Sequence, residues 1–249
     1  MSREQFSVPV VPGTPPELIV YDRPCPCPYL HDRVARMPLR LPTRRLRRTE
    51  LDARLAAGDR RQGLVVYRTR CPSCSACIPI RIPVADFAPG RTQRRIVRRA
   101  DRQLRLSIGP PMLDQRRVDL YNLHKQGRGL AQGQCPIDSE GYDDFLVNTC
   151  CESFELRYHL GDDLVAVAIA DRGQRGLSAV YCYYDPGYAH LSLGTYSILK
   201  QLDLCRRLGL SYLYLGLYIE ESAAMRYKAA FLPHERLVGG RWLRFDKAR

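Results

Sequence analysis

Cys71, Cys74 and Cys77 stand three residues apart in the run Arg-Cys-Pro-Ser-Cys-Ser-Ala-Cys, a spacing suited to holding an ion. A tight turn presents two sulfurs to one centre, and four thiolates complete a tetrahedral zinc site or hold an iron–sulfur cluster. Position 81 is Arg, so the ferredoxin continuation is missing and the fourth ligand must come from elsewhere. Pro-Cys25-Pro-Cys27-Pro offers it, with Cys27 the expected ligand and Cys25 in reserve. The competing arrangement is reduced thiols packed side by side without an ion. Cys135, Cys150, Cys151, Cys182 and Cys205 are scattered, and Cys182 and Cys205 sit in apolar patterns as small buried hydrophobes. Ten cysteines without an export signal are thiols or ligands rather than disulfides.

The second chemistry is cationic. The 249 residues carry 39 Lys+Arg against 26 Asp+Glu, a net charge of +13. The excess is local: residues 23–117 hold 23 Arg and 7 acids, whereas 118–249 are close to balanced. Lysine occurs only at 125, 200, 228 and 247. Arginine forks grip phosphates and stack on bases, so nucleic acid is the expected partner. A membrane surface is disfavoured, because no amphipathic anchor helix accompanies the charge. Within the segment Arg91, Arg94, Arg95, Arg98 and Arg99 cover most faces of a helix expected from Thr92, leaving Ile96 and Val97 apolar. Such a helix cannot be mainly a core element.

A composition of 45% hydrophobic and 26% charged residues excludes wholesale disorder and a coiled-coil rod. No stretch approaches the ~20 apolar residues of a membrane span, and the first residues carry an acid and no apolar run. A soluble, cytoplasmic protein is expected.

The elements that must position these groups follow from periodicity. Residues 1–24 are Pro-rich and read as an extended arm, and residues 25–112 as a small basic domain. In that domain Leu46, Leu51 and Leu55 mark a helix closed by Gly58, and short strands flank the cysteine turn. The arginine helix then becomes a strand near Leu104, ended by Pro110-Pro111. Residues 113–249 form the second domain: a helix near 113–126, a second near 138–149, and three strands in a meander. A helix over 195–207, the strand Tyr-Leu-Tyr-Leu-Gly-Leu-Tyr-Ile, a short helix near 222–230 and a last strand around Val-Gly-Gly-Arg-Trp-Leu-Arg-Phe complete it. This order is α+β and matches the acetyltransferase-type (GNAT) fold.

Several segments are familiar together: Cys27-Pro-Tyr29-Leu30, Tyr67-Arg68, the cysteine run with Pro79 and Arg81, and Gln93-Arg94-Arg95-x-x-Arg98-Arg99. Further along come Gly176-Leu-Ser178, Tyr184-Asp185-Pro186, Ser192-Leu193-Gly194, Tyr214-Leu-Gly216, Met225-x-Tyr227-Lys228 and Trp242. On these the chain resembles the bacterial aminoacyl-tRNA–protein transferases, specifically the aspartate/glutamate leucyltransferases related to the arginyltransferases. It departs from their pattern at Gly58-Asp59-Arg60-Arg61-Gln62-Gly63, taken as a surface variation. It departs again at Gly127-Arg128-Gly129-Leu130 and Gln132-Gly133-Gln134, where a histidine is expected near the cleft.

The resemblance implies transfer of Leu or Arg from the 3′ ester of a charged tRNA to the α-amine of a protein beginning with Asp or Glu, marking it for degradation. No organic cofactor is implied. The ester is already activated, so positioning, a neutral amine and a stabilised oxyanion are required, and no strong nucleophile. Tyr181, Tyr184, Asp185 and Lys228 are the candidate catalytic residues; Ser192, Gly194, Tyr214 and Tyr227 the substrate-binding ones; and Arg94, Arg95, Arg98 and Arg99 the tRNA contacts. An acidic acceptor would meet cations of the Arg-rich segment at its junction with the second domain. Lys228 is either a solvated charge or a contact for a carboxylate or phosphate, and Ser192-Leu-Gly194 either starts a helix or offers N–H groups to an anion. His31, His124, His159, His190 and His234 show no metal spacing and are read as surface or satisfied side chains. Two rivals remain open: a CoA-dependent acyltransferase of the same fold, for which His-Leu-Ser-Leu-Gly-Thr-Tyr-Ser offers a single glycine, and a non-catalytic zinc-containing RNA-binding protein.

Overall fold

The computed structural model describes residues 9–131, 133 and 135–247. Residues 1–8 of the expected arm and Gln132 and Gln134 of the variant loop lie outside them. The strands are β1 (Val10–Val11), β2 (Glu17–Tyr21), β3 (Pro24–Pro26), β4 (Val34–Arg36), β5 (Leu39–Pro42), β6 (Arg60–Gln62), β7 (Val65–Tyr67), β8 (Ile78–Pro83), β9 (Leu104–Gly109), β10 (Ser153–Leu160), β11 (Asp163–Arg172), β12 (Gly176–Tyr184), β13 (Tyr212–Tyr218), β14 (His234–Val238) and β15 (Arg241–Phe245). The helices are α1 (Arg48–Ala56), α2 (Arg91–Asp101), α3 (Gln115–Gly127), α4 (Ser139–Tyr142), α5 (Leu193–Arg207) and α6 (Ala223–Arg226).

A mixed eight-stranded sheet in the order β15-β14-β8-β13-β12-β11-β10-β9 dominates the molecule. Its β10–β11–β12 meander is antiparallel, while β12 and β13 run parallel with α5 as their crossover. The β11 sequence Leu-Val-Ala-Val-Ala-Ile-Ala is buried because both its faces are covered. Ala166, Ala168 and Ala170 pack on the α2–α5 side, whereas Val167 and Ile169 face α3 and α4. Small residues on the first face let the two helices come close.

A five-stranded sheet, β1-β2-β5-β7-β6, packs against the large one through Leu46, Leu51, Leu55, Val66, Cys150 and Tyr214. Arg61 and Asp171 join the two sheets at 2.8 Å, each side chain 1% exposed. The stretch Asp59-Arg60-Arg61 is therefore interior, not a surface variation. Asp59 is 4% exposed and accepts from Arg40 and Arg68, so its carboxylate is held by two guanidinium groups.

Three expectations are revised. Residues 10–11 and 17–21, read as part of an extended arm, are strands β1 and β2, because β5 offers Glu17–Tyr21 a pairing edge. The large sheet crosses the boundary expected between 112 and 113, since β8 fills the gap between β13 and β14 and β9 extends the meander. The single last strand is a hairpin: Gly239 and Gly240, at φ 56° and 77°, form the two-residue turn between β14 and β15.

Candidate active cleft

β12 and β13 pair only at Gly176–Tyr212, Leu177–Leu213 and Ser178–Tyr214. Beyond Ser178 the register of β12 slips against β11, and that of β13 slips against β8 between Tyr214 and Gly216. The two strands then run on unpaired with each other to Tyr184 and Tyr218. Parting parallel strands open a crevice at their carboxyl ends, the usual place for a ligand in such a sheet. The helix that crosses between them, α5, starts at its rim.

One wall carries Tyr184. Alternation along β12 turns Cys182 and Tyr184 toward α5, and Tyr181 and Tyr183 toward α3. A carbon added at Gly194 would stand 3.5 Å from Tyr184 Cε1 and 4.0 Å from its hydroxyl, so the ring lies on the first turn of α5. That turn begins at Ser192, whose φ is 54° and whose side chain caps no N–H group, leaving the amides of the turn available. Behind Tyr184 sits His124, 4% exposed, with ring centroids 4.4 Å apart. His124 Nδ1 lies 3.1 Å from Tyr184 O and 3.3 Å from Tyr184 N, so the ring is tied to the Tyr184 main chain. Burial holds the imidazole pKa down to about 4, so this ring is neutral and satisfied as expected.

The other wall carries Tyr227 and Lys228. Lys228 is 6% exposed, and its Nζ donates to Leu217 O at 2.6 Å. Burial, with the nearby Arg60 charge, pushes its pKa well below the usual lysine value, so the solvated-charge reading does not hold. Tyr227 keeps 46% of its surface, yet the surrounding protein raises its hydroxyl to about 12, with Cys182 and Tyr184 as neighbours. Arg128, on the variant loop, reaches both Tyr184 and Tyr227 with its charge and opposes the upward shift of each.

At the fork itself lies Arg60, beside Ser178, Tyr214 and Gly216. Tyr67, Tyr29, Cys77 and Tyr227 surround its guanidinium. Cys77 carries the cleft into the cysteine cluster: burial first, then Cys27, Cys71 and Cys74, raise its thiol to about 12. The four thiols are thus neighbours, and Arg33 donates to Cys74 Sγ at 3.4 Å. A four-thiol donor set has the chemistry of a thiophilic ion site. Among the described residues no three His, Cys, Asp or Glu side chains converge to ligand geometry.

The remaining candidates lie apart. Tyr181 packs with Tyr121, Phe145 and Tyr183 on the α3 face, with ring centroids 5.4 Å from Tyr121. Asp185 Oδ1 accepts from Gly187 N at 2.8 Å and closes the turn before α5. Tyr214 is 6% exposed and accepts from Arg81 Nη1 at 3.2 Å, within the stack that Arg81 makes on Tyr212 and Trp242.

α2 lies across the cleft rim. Its Gln93 Nε2 donates to Ala230 O at 3.4 Å, two residues past Lys228, and its Arg99 Nη2 donates to Ser192 Oγ at 3.5 Å. Tyr196 Oη, donating to Asp101 at 2.6 Å, fixes the far end of α2 to α5. An 11-residue helix spans ~16 Å, enough to bridge both walls. Arg91, Arg94, Arg95, Arg98 and Arg99 are exposed, while Ile96, Val97 and Ala100 face the core.

Sequence reasoning missed Arg60, His124 and Arg128 as cleft residues. In a strand consecutive side chains point to opposite faces, so with Arg61 turned to Asp171 its neighbour Arg60 turns to the fork, a placement set by the tertiary pairing.

Tyr184, Tyr227, the buried Lys228 and the first turn of α5 thus face one cleft, whose rim carries the exposed arginines of α2. Models of the arginine-tRNA-protein transferase N terminus and C terminus match residues 25–95 and 116–238. An aspartate/glutamate leucyltransferase from Chromobacterium violaceum is 38% identical over 219 residues, 88% of this chain and 90% of its own. One from Halorhodospira halophila is 39% identical over 218 residues, 87% of this chain and 92% of its own. The solved structure of FemX is similar at a TM-score of 0.47 and 10% identity, covering 73% of this chain and 63% of its own. The chain belongs to the arginine-tRNA-protein transferase family, whose reaction takes aminoacyl-tRNA as donor and a protein as acceptor. Among the described residues no helix is long and apolar enough to cross a membrane.

Proposed function

We propose that this enzyme transfers leucine from charged tRNA to the α-amine of proteins that begin with Asp or Glu, in the cytoplasm, marking them for degradation. The observation that carries this reading is the arginine helix laid across a cleft whose far wall holds a buried lysine. The names borne by the 38–39% identical relatives support leucine as donor and acidic residues as acceptors. The β12–α5–β13 fork supports an acetyltransferase-type arrangement of the second half of the chain.

The acceptor enters as an ammonium group and must lose a proton before its nitrogen can attack the ester carbonyl. Lys228, whose amine burial holds well below the usual lysine pKa, is the group placed to receive that proton. Attack forms the C–N bond and places negative charge on the carbonyl oxygen. The free N–H groups of the first turn of α5 and the Tyr184 hydroxyl are placed to stabilise it. Collapse breaks the bond to the 3′ oxygen, which takes up the second proton that the nitrogen gives up, leaving a peptide bond and deacylated tRNA, while the first proton passes from Lys228 to solvent. Arg94, Arg95, Arg98 and Arg99 hold the phosphates near the acyl end, and Tyr227 lines the path between Tyr184 and Lys228. Asp185 acts through the turn that sets α5, Tyr181 through packing of β12, and Tyr214 through the Arg81 stack beneath the fork.

Cys27, Cys71, Cys74 and Cys77 would hold zinc or an iron–sulfur cluster, with Cys25 in reserve, stapling the β3–β4 hairpin to the turn before β8. The direct test of the transfer reading is incubation with labelled Leu-tRNA or Arg-tRNA and peptides beginning with Asp, Glu, Lys or Ala. Labelling of the Asp and Glu peptides from Leu-tRNA is expected; equal labelling of Ala peptides, or none at all, refutes it.

A further inference from the structure

Arg60 is out of step with the other arginines that line the junction of the two sheets. Arg61 is paired with Asp171, Arg40 with Glu17 and Asp59, Arg54 with Glu17, and Arg81 with Glu235. The Arg60 guanidinium has no hydrogen-bond or ion-pair partner among the described residues, although it is set deep in the fork. A guanidinium taken from bulk water without an anion is costly, and Arg60 is half-buried.

The backbone makes room for it. Gly216 has φ 78°, and a Cβ there would stand 2.5 Å from Arg60 Cζ. The strand shift between Tyr214 and Gly216 puts this bare stretch of main chain under the guanidinium, at the point where β12 and β13 part. The side chains around it are Tyr29, Tyr67, Cys77 and Tyr227, and among the described residues no Asp or Glu pairs with it. Asp59, the next residue along, is occupied by Arg40 and Arg68. The fork thus holds a forked cation donor, a flat floor and no competing acid, beside the amine of Lys228.

We propose that Arg60 receives the side-chain carboxylate of the acceptor protein's first residue and is the group that makes an acidic residue the preferred one. The inference rests on the transfer reading above and adds the specificity determinant to it. A carboxylate matches the planar fork in two hydrogen bonds, and an amide of the same shape offers only one acceptor oxygen. With the carboxylate seated at the fork, the α-amine of the same residue is directed along the cleft toward Lys228 and Tyr184.

The test uses the full-length protein and peptides identical but for a first residue of Glu or Gln. Two quantities are measured: the Glu-to-Gln ratio of kcat/KM for leucyl transfer, and the Glu-to-Gln ratio of affinity in fluorescence anisotropy without tRNA. Wild type should prefer Glu in both. In Arg60→Gln the transfer ratio should fall roughly 30-fold, the scale of a lost charge-assisted hydrogen bond, and the affinity ratio should fall toward one. Arg60→Lys keeps the charge without the fork and should fall between the two. It also answers for Arg60→Gln should that variant not fold. A Glu-to-Gln ratio equal to wild type in either folded variant overturns the proposal, as does a wild type that binds Glu and Gln peptides equally. A variant that loses tRNA affinity while keeping its Glu preference assigns Arg60 to the donor and overturns it as well. Absence of transfer to any peptide by wild type refutes the transferase reading, while the anisotropy ratio judges Arg60 separately.

Discussion

Lys228 Nζ donates a 2.6 Å hydrogen bond to the carbonyl of Leu217, so the one buried lysine of the cleft is anchored to the strand that forms its wall. Its pKa lies well below 10.5 in the folded chain, chiefly through burial. Between that lowered value and 10.5 the unfolded chain binds more protons than the folded one, so this group makes stability rise with pH across the window. Lys228→Met should be more stable than wild type at pH 7 and lose that part of the rise, seen by urea unfolding at pH 7, 8.5 and 10. Its transfer kcat should drop ~100-fold, the scale of a lost general base.

His124 and His234 both titrate near 4 because burial disfavours their charged forms. The unfolded chain takes up protons at about 6.5, so stability present above that pH is lost as pH falls toward about 4. Each histidine contributes up to roughly 3 kcal/mol to that loss. Unfolding midpoints measured from pH 7 to pH 4 should fall, and less steeply in His124→Phe.

The Arg61–Asp171 pair is buried on both sides and joins the two sheets. Ser153 Oγ also donates to Asp171, at 2.6 Å. Arg61→Met strands the carboxylate and should cost ~3–5 kcal/mol in denaturant unfolding. The double variant Arg61→Met/Asp171→Asn should recover part of it, because no buried charge is then left unpaired.

Neutralising Arg94, Arg95, Arg98 and Arg99 together should weaken tRNA binding at every salt concentration. Each lost phosphate contact should flatten the dependence of log K on log salt by about one unit. Filter binding or anisotropy between low and physiological salt measures it. An unchanged slope in the fourfold Ala variant means that the helix is only a solvated face.

Anaerobically purified protein should carry about one zinc, or an iron–sulfur absorbance, per chain, lost in Cys74→Ser. Thiolate ligands converge only in the folded chain, so the same substitution should lower the melting temperature. Metal content near zero with unaltered melting in Cys74→Ser means four packed thiols.

Much of this molecule was legible along the chain. Leu51 and Leu55 are buried on α1 and Leu46 just ahead of it, and Phe154, Leu156, Tyr158 and Leu160 share one face of β10. The arginine helix was readable as a solvent-facing element because a helix charged on most faces has nowhere else to lie. The nearness of the two cysteine segments was expected from donor chemistry alone. Local periodicity reports these features since helix and strand periods are set by residues a few positions apart.

What only the tertiary structure decided depends on pairings between distant segments. Insertion of β8 between β13 and β14, strands from the far end of the chain, turns two expected domains into one shared sheet, because a strand edge is satisfied by whichever segment packs there. The same holds for the site. Arg60 and Arg61 are identical side chains in adjacent positions, yet one is bound to Asp171 and the other is left open at the fork. Their difference comes from which face of β6 meets which sheet, and no local pattern of residues carries that information.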